Sequence, residues 1–450
     1  MKKDAIEVIT TAKNTNLRLS RQEMLFFQND INDLENNLLV IYPECRYQTI
    51  LGFGGAITEA TGVIWDKLNK EKRRQLLAAY FGNEGIGYTL CRSHIQSCDF
   101  CLSNYAYINE NESLTSKLNF KRDEKYLIPI ISEAAQIAGG NFKLISSPWS
   151  PPGFMKTNGV MNGGGKLKPE CYRDWAYIIA SYIKVYRNKG IPIYGITIQN
   201  EALDAQKWES CVMTAQEESI FVEQYLYPEL VKMQLEDVAI YFWDQNKERI
   251  LERTRQFMNN HQAGEIVKGV AFHWYAGDHF DALRMVHEQF PQLQLLFTEG
   301  CEPGYVDNPP WEHGEHYAHE MIGNLNNYMN GFIDWNLFLD ANGGPTHIGN
   351  YCNAPIIVDT KEQALEFRNS YYYLGHFSKY IMPGAVRLGT SCYTTDLEHT
   401  SFLNPDGHII VQVLNRTDND KVCVLKYESM VAEAKVRAHS MNTYIFDAEG

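Results

Sequence analysis

No stretch of the 450-residue sequence approaches the length of apolar chain that a membrane-spanning helix needs. The N-terminal segment MKKDAIEVITTAKNTNLRLS also lacks the apolar core of a signal peptide, because Asp4, Glu7 and Lys13 interrupt it. From these two absences we expect a protein that has no membrane span and is cytoplasmic.

Basic charge is scarce as well. The chain carries 41 Lys and Arg against 55 Asp and Glu, which gives a net charge of −14. Proteins that bind nucleic acid usually present a basic face to the phosphates, and no run of Lys or Arg stands out here. We therefore expect no nucleic-acid partner.

Paired metal-binding cysteines are missing. The ten cysteines include the motif Cys98-x-x-Cys101, but no second such motif follows at zinc-finger spacing. His316 and His319 have no matching set of carboxylates, so a solvated helix face explains them better than a metal site. Buried, reduced thiols are the better interpretation of the cysteines, and we expect neither a metal nor an organic cofactor.

From about residue 47, short apolar runs alternate with longer amphipathic segments. The runs predict strands at residues 49–53, 86–91, 142–146, 193–198, 238–242, 270–273, 293–297 and 331–338. Helices are predicted between them, as in Ala176–Tyr186, where apolar residues recur every three or four positions. This alternation predicts a closed (β/α)8 TIM barrel. A doubly wound open sheet is the alternative, but no Gly-x-Gly-x-x-Gly motif opens a helix after a strand.

Strand-like segments separated by turn signals make up both ends of the chain. The N-terminal strands have no partners nearby, so we expect them to join the C-terminal ones in a small β-sandwich. The predicted domains are residues 1–46 (N-terminal strands of the sandwich), 47–381 (catalytic barrel) and 382–450 (C-terminal strands of the sandwich).

The residues that end the predicted strands indicate the chemistry, because the active site of a (β/α)8 enzyme lies there. Glu201 follows the fourth strand and Glu299 the seventh, across the barrel mouth. Aromatic and amide side chains end other strands, and this mixture is typical of a sugar-binding site. Either glutamate alone would more often be a solvated loop residue. Together they are the minimal apparatus for glycoside hydrolysis, with retention or inversion set by their separation.

These strand ends resemble glycoside hydrolase family 30, in particular its glucosylceramidase (acid β-glucosidase) branch. The matching stretches are GFGGAITEA (52–60), RSHIQSCDF (92–100), SSPWSPPGFMKTNG (146–159), TIQNEA (197–202), DQ (244–245), FHWY (272–275), FTEG (297–300) and DWNLFLDANGGPTHIGNYCNAPIIVD (334–359). The resemblance implies a retaining β-glycosidase whose barrel carries a β-sandwich made from both termini.

The resemblance also implies roles for single residues. Glu201 corresponds to the general acid/base and Glu299 to the nucleophile, while Arg92 corresponds to a buried arginine that supports the nucleophile. The residues implied to bind the substrate are Asp99, Trp149, Asn200, Gln245, His273, Tyr275, Trp335 and Asn350. The loops that follow the two glutamates depart from the lysosomal-type enzymes, so the ceramide specificity of that branch does not transfer.

The favoured function is that of an exo-acting β-glucosidase, with a small-molecule or oligosaccharide β-glycoside as substrate. A β-xylosidase, β-fucosidase or β-1,6-glucanase of the same family is the first alternative. A non-catalytic carbohydrate-binding protein on the same fold is the second, and the presence of both glutamates argues against it. The sequence predicts no particular oligomeric state.

Overall fold

The computed structural model describes residues 4–110, 112 and 118–448, and its centre is a closed barrel of eight parallel strands. In chain order, β1 to β8 are Gly52–Ala56, Leu90–Ile95, Lys143–Pro148, Ile193–Thr197, Ala239–Asn246, Gly269–His273, Gln294–Glu299 and Met329–Asn336. β8 pairs with β1 and closes the cylinder, with Phe332 opposite Phe53. The predicted (β/α)8 fold is confirmed.

Helices alternate with these strands along the chain. They span Glu59–Lys67, Lys70–Phe81, Ile128–Ala138, Tyr172–Asn188, Ala215–Phe221, Tyr227–Lys232, Ile250–Met258, His261–Ile266, Phe280–Gln289, Glu312–Asn326 and Asn369–Ser378. In Tyr172–Asn188 the predicted apolar spacing buries Trp175, Ile179 and Ile183 against the rest of the barrel. Among the described residues, no helix combines the length and hydropathy that a membrane crossing requires.

The second domain is a β-sandwich built on an eleven-stranded sheet. Its strands are Ala5–Ala12, Ser20–Arg21, Leu25–Phe26, Gln28–Asn29, Leu38–Thr49, Val386–Cys392, Leu397–Leu403, His408–Asn415, Lys421–Tyr427, Met430–Val436 and Ser440–Asp447. The first and last of these pair antiparallel, with Glu7 opposite Ile445. Ile6, Val411 and Leu425 lie in its separate apolar core. Both ends of the chain therefore build this domain, as predicted.

A small three-stranded sheet follows β8 and belongs to the loops at the barrel mouth. Its strands are Phe338–Asp340, Ile356–Asp359 and Ala364–Phe367. The segment between its first two strands carries Asn350, one of the residues that the sequence analysis assigned to the substrate site.

The first two barrel strands lie further along the chain than the apolar runs predicted. β1 begins at Gly52 rather than at residue 49, and β2 begins at Leu90 rather than at residue 86. β1 is rich in glycine because the strands pack closely there, and a Cβ added to Gly54 would lie 1.5 Å from the Leu90 carbonyl oxygen. β2 carries the polar residues Arg92 and His94 into the interior, so neither strand has the composition of an apolar run.

Candidate active site

The carboxyl ends of the barrel strands surround a cavity of about 900 Å³. The residues predicted from sequence that line it are Asp99, Trp149, Glu201, Tyr275, Glu299, Trp335 and Asn350. The predicted residues that lie buried outside this lining are Arg92, Asn200, Gln245 and His273. The fold thus brings the predicted site to one place, with part of it forming a layer behind the cavity wall.

The two glutamates face each other across this cavity. Glu299 is the last residue of β7, and Glu201 lies just beyond β4 with a φ of +48°, in the left-handed region that non-glycine residues rarely adopt. A carboxyl oxygen of Glu201 and one of Glu299 lie within 4.8 Å of each other. Retaining glycosidases have carboxyl groups about 5–5.5 Å apart, and inverting ones roughly 6.5–9.5 Å. The two carboxyl groups therefore approach each other closely enough for the retaining geometry.

Glu299 accepts hydrogen bonds on both carboxyl oxygens. Arg92 Nη1 donates to one at 2.6 Å, and Tyr275 Oη donates to the other at 3.1 Å. Burial raises the pKa of Glu299 above its ordinary value, while the nearby positive charges of His273 and Arg92 act in the opposite direction. These contacts stabilise the carboxylate form of Glu299.

Asp244, which the sequence analysis did not single out, holds this layer together. Its carboxylate accepts hydrogen bonds from Arg92 Nη2 at 2.8 Å, Thr197 Oγ1 at 2.6 Å, Thr298 Oγ1 at 2.5 Å and His273 Nε2 at 3.1 Å. Burial alone would raise the pKa of Asp244, but Arg92, His273 and Thr197 more than offset it and hold the pKa well below its ordinary value. Asp244 is therefore a buried, fully ionised carboxylate.

His273 lies between Asp244 and Glu201. Burial would lower its pKa, but the charge of Glu299 and the contacts with Asp244 and Glu201 raise it to about 9. Its second ring nitrogen, Nδ1, is 3.7 Å from Glu201 Oε1. His273 is thus an imidazolium at neutral pH, placed behind the cavity wall rather than on it.

The side of the cavity near β2, β3 and β8 has the features of a sugar-binding wall. Trp149 and Trp335 stack with their ring centroids 5.4 Å apart, and the Arg92 guanidinium lies 4.6 Å from the centre of the Trp149 ring. Beside them, Asn350 Nδ2 donates to Asp99 Oδ2 at 2.5 Å, whereas Asp99 Oδ1 is buried without a partner in the described structure. Burial and the charge of Glu299 hold the pKa of Asp99 well above its ordinary value, which favours its protonated form.

Asn200 and Gln245 hold other groups in place. Asn200 Oδ1 accepts from Arg92 Nη2 at 2.8 Å. Gln245 accepts from the Leu203 N–H at 2.9 Å and donates to Asp204 Oδ2 at 2.7 Å. Gln245 therefore positions the loop after β4, and the substrate-binding roles predicted for Gln245 and His273 stay predictions.

The outer part of the cavity is formed by residues that the sequence analysis did not assign. They are Phe100, Asp204, Gln206, Trp208, Asn246, Cys301, Pro303, Gly304, Tyr305, Asn342, Gly349, Tyr351 and Cys352. Most come from the loops after Glu201 and Glu299 and from the segment before Ile356. The aromatic residues among them are the only feature of the loop sequences that could have indicated a binding site. A loop sequence does not show which side chains turn toward the cavity.

Two groups of described residues have side-chain atoms close enough to share a metal ion. One consists of Glu201, His273 and Glu299 at the cavity, and the other of His94, Cys98 and Cys101. In the second group, His94 Nε2 accepts the Glu59 N–H at 2.9 Å and Nδ1 lies 2.5 Å from the Gln96 carbonyl oxygen. Both ring nitrogens of His94 are thus engaged in hydrogen bonds that stabilise the turn after β2.

Comparison with known proteins covers both domains. The glycosyl hydrolase family 30 TIM-barrel domain matches residues 50–381, and the glycosyl hydrolase family 30 beta sandwich domain matches residues 384–444. The lysosomal acid glucosylceramidase of Mus musculus is 31% identical over 429 residues, which cover 91% of this chain and 83% of that protein. The endo-1,6-beta-D-glucanase of Neurospora crassa is 28% identical over 434 residues, covering 91% and 87%.

Among solved structures, the crystal structure of SrfJ from Salmonella typhimurium has a TM-score of 0.96 and 38% sequence identity. The alignment covers 98% of this chain and 99% of that chain.

Proposed function

Because the chain belongs to glycosyl hydrolase family 30 and is a glycoside hydrolase, we propose that it is an exo-acting β-glucosidase. In this proposal, Glu299 attacks the anomeric carbon and Glu201 protonates the departing glycosidic oxygen. The observation that carries the role assignment is the unequal hydrogen bonding of the two glutamates. Glu299 accepts hydrogen bonds from two donors, Arg92 and Tyr275. The nearest ring nitrogen of His273 is 3.7 Å from Glu201 Oε1, which is beyond hydrogen-bond distance.

Charge balance supports the same assignment. Arg92 and His273 are both cationic at neutral pH, so two carboxylates are needed to neutralise the buried layer. Asp244 and Glu299 each accept hydrogen bonds on both oxygens and are the natural carriers of these charges. Glu201 is the second glutamate that lines the cavity, and we assign it the role of general acid.

The reaction then proceeds in two displacements. In the first, Glu299 forms a covalent bond to the anomeric carbon while Glu201 transfers its proton to the leaving oxygen. Esterification removes the negative charge of Glu299 before the second step. In the second, Glu201 takes a proton from water, which attacks the glycosyl-enzyme and releases the sugar with its original configuration.

Exo action is supported by the loop that closes one side of the cavity. Thr346 Oγ1 donates to the Asp99 carbonyl oxygen at 2.9 Å, and His347 Nδ1 lies 3.2 Å from the Cys101 carbonyl oxygen. Together with the bond from Asn350 to Asp99, these contacts tie the segment before Ile356 to the loop after β2. A sugar against Trp149 would meet this wall, so a non-reducing end fits better than the middle of a chain.

An endo-acting β-1,6-glucanase is the second candidate. The observation that favours it is an aromatic outer rim formed by Trp208, Tyr305 and Tyr351, of which Tyr351 is 46% exposed. Aromatic faces stack on sugar rings, so this rim could hold further sugars of an oligosaccharide. The cavity volume of about 900 Å³ leaves room beyond one monosaccharide, since ligand sites span roughly 300–1,000 Å³.

Hydrolysis of p-nitrophenyl β-glucoside, β-xyloside and β-fucoside, together with a β-1,6-glucan, tests the proposal. We expect fastest release from the β-glucoside, glucose as the first product from the glucan, and retention of configuration by NMR. Glu299→Gln should abolish all cleavage, whereas Glu312→Gln, on an exposed helix position, should not. Oligosaccharides as first products from the glucan, with no cleavage of aryl monosaccharides, would favour the endo-glucanase instead.

A further inference from the structure

Two cysteines from distant parts of the chain face each other on the cavity wall. Cys301 follows β7 by two positions and Cys352 lies in the segment before Ile356, yet their sulfur atoms are 3.4 Å apart. Both residues line the cavity, with 5% and 8% of their surface exposed. Among the described residues that line this cavity, they are the only two cysteines.

The backbone holds these two thiols together. Pro303 forms an antiparallel bridge with Cys352, and the Asn353 N–H donates to the Glu302 carbonyl oxygen at 3.3 Å. The two segments are therefore neighbouring strands at this point. A disulfide needs its sulfur atoms about 2.05 Å apart, so the thiols must approach by roughly 1.4 Å, which a rotation of side chains and a small loop shift can supply.

The pair also contacts the catalytic machinery. Tyr275 Oη, which donates to Glu299 Oε1 at 3.1 Å, lies 3.5 Å from Cys301 Sγ. Cys352 Sγ lies 3.6 Å from the carbonyl oxygen of Asn350, whose side chain holds Asp99. Movement of Cys301 Sγ would therefore shift the tyrosine that holds the nucleophile, and movement of Cys352 Sγ would shift the asparagine of the sugar-binding wall.

We propose that Cys301 and Cys352 form a modification site at which hydrogen peroxide, or another two-electron oxidant of the peroxide class, forms a disulfide that slows glycoside hydrolysis. The disulfide draws Cys301 Sγ away from Tyr275 and pulls the Asn350 loop toward β7. Reduction by a dithiol reverses the change.

The chemistry balances with peroxide as the sole co-reactant. The sulfur of one cysteine, as its thiolate, attacks a peroxide oxygen, so an S–O bond forms, the O–O bond breaks, and hydroxide leaves and takes up a proton as water. The sulfur of the second cysteine then attacks the resulting sulfenic acid, forming the S–S bond and releasing a second water. The two thiols are oxidised, and the peroxide is reduced to two waters.

The Cys98-x-x-Cys101 motif supplies a matched comparison within the same chain. Its sulfur atoms are 3.8 Å apart, and both residues are fully buried and absent from the cavity lining. Burial acts to raise the pKa of Cys101, but the contacts with Cys98 and His94 lower it. The pKa of Cys301 lies well above its ordinary value because its thiol donates a hydrogen bond to Cys352 and is buried. Thiolate content alone therefore favours the motif, and access from the cavity favours Cys301 with Cys352.

The test treats the folded full-length protein with hydrogen peroxide, alkylates the remaining thiols and maps peptides without reduction. We expect a linked Cys301–Cys352 peptide, formed faster as pH rises because the thiolate reacts. Aryl glycoside turnover should fall about tenfold, the factor expected when one hydrogen bond to the nucleophile is lost. Dithiothreitol should restore it.

Two variants separate this effect from other oxidation. Cys352→Ser should show no linked peptide and no dithiothreitol-reversible loss relative to its own untreated activity. Cys45→Ser, which removes an exposed cysteine outside the site, should behave as the parent protein does. A Cys98–Cys101 link formed first, a Cys301–Cys352 link without a change in turnover, or an equal reversible loss in Cys352→Ser would overturn the proposal. The peptide map is independent of the sugar that the enzyme prefers.

Discussion

Among the residues that the structure describes, two Arg–carboxylate–His clusters can be compared, one inside the barrel and one where the barrel meets the sandwich. The barrel cluster consists of Arg92, Asp244 and His273, whose side chains are entirely buried. Arg92 Nη2 and His273 Nε2 lie 2.8 Å and 3.1 Å from the Asp244 carboxylate oxygens. No solvent screens these charges, so each one acts strongly on the glutamates beside it.

The interface cluster consists of Arg416, Glu398 and His319. Arg416 Nη2 lies 2.6 Å from Glu398 Oε1, and His319 Nδ1 lies 2.5 Å from Glu398 Oε2. The contacts are at least as short as those in the barrel, but the three side chains are 43%, 22% and 17% exposed. His319 belongs to the helix Glu312–Asn326 of the barrel, and Glu398 to a sandwich strand, so this cluster joins the two domains.

The comparison shows that burial, more than distance, decides what such a cluster does. Exposed pairs are screened and contribute about 0–1 kcal/mol to stability. A buried cluster that loses one member leaves an unpaired charge, which costs roughly 3–5 kcal/mol and shifts the protonation of its neighbours. Substitutions in the two clusters, and at the carboxyl groups near them, test this contrast.

The largest effect is expected at the carboxyl groups that the barrel cluster controls. Glu299→Gln should lower kcat by about 10⁴-fold or more, because the amide cannot form the glycosyl-enzyme. Glu201→Gln should also lower turnover by several orders of magnitude, and neither change should alter the circular dichroism spectrum.

Azide should restore the ability of Glu201→Ala to cleave an activated aryl glycoside. The glycosyl azide that this variant forms should differ in anomeric configuration from the one that Glu299→Ala forms. Near-normal activity of either glutamine variant would show that the role assignment is wrong.

Arg92→Lys breaks the barrel cluster directly. An ammonium cannot reach Glu299, Asp244 and Asn200 in the way the guanidinium does, so kcat/KM should fall by about 10²–10³-fold. The free energy of unfolding should drop in urea titration by about 1–3 kcal/mol for each buried acceptor that the ammonium leaves without a hydrogen bond. Arg416→Lys is the matched control and should cost less than about 1 kcal/mol, with kcat/KM unchanged. Equal losses in both variants would contradict the contrast between the clusters.

Asp334, at the end of β8, is a buried carboxyl group without a cation. It accepts from Tyr317 Oη at 2.7 Å, and burial raises its pKa to about 8. A group whose folded pKa is raised in this way binds its proton more tightly in the folded state, so it destabilises the protein progressively as pH rises from about 4 to about 8.

Asp334→Asn should remove that destabilisation. We expect the midpoint of thermal unfolding of the variant, relative to the parent protein, to be higher at pH 8 than at pH 5. Asp281→Asn, at a position with a 78% exposed side chain, is the control and should show no such trend. A parallel pH dependence for Asp334→Asn and the parent would show that Asp334 is not the titrating group.

The smallest effect is expected at the interface cluster. The contact with Glu398 raises the pKa of His319 against the opposing effect of burial. Its contribution to stability is therefore fully present below about pH 6.5 and is lost as pH rises through the raised pKa of the folded protein. His319→Gln should cost about 1 kcal/mol near pH 6 and less at pH 9. His261→Gln, at an exposed helix start, should change nothing, and a pH-independent loss for His319→Gln would argue for packing instead.

Much of the fold could be read from the sequence because it depends on local periodicity. The alternation of apolar runs with segments such as Ala176–Tyr186 specifies βα units, and a parallel sheet of eight such units closes into a barrel. The prediction places β1 and β2 too early in the chain because neither strand is an apolar run. Gly54 allows close packing of the strands, and Arg92 is a charged residue buried in the barrel interior.

The sequence by itself determined the strand order, and therefore that Glu201 and Glu299 end strands on opposite sides of one mouth. Only the tertiary structure decided that Asp244 holds Arg92 and His273, and that Cys301 meets Cys352 across 51 residues of chain. The physical reason is the range of the interactions. Periodicity acts within a few residues, whereas these contacts depend on strand register and loop closure, which become defined only when the whole barrel has packed.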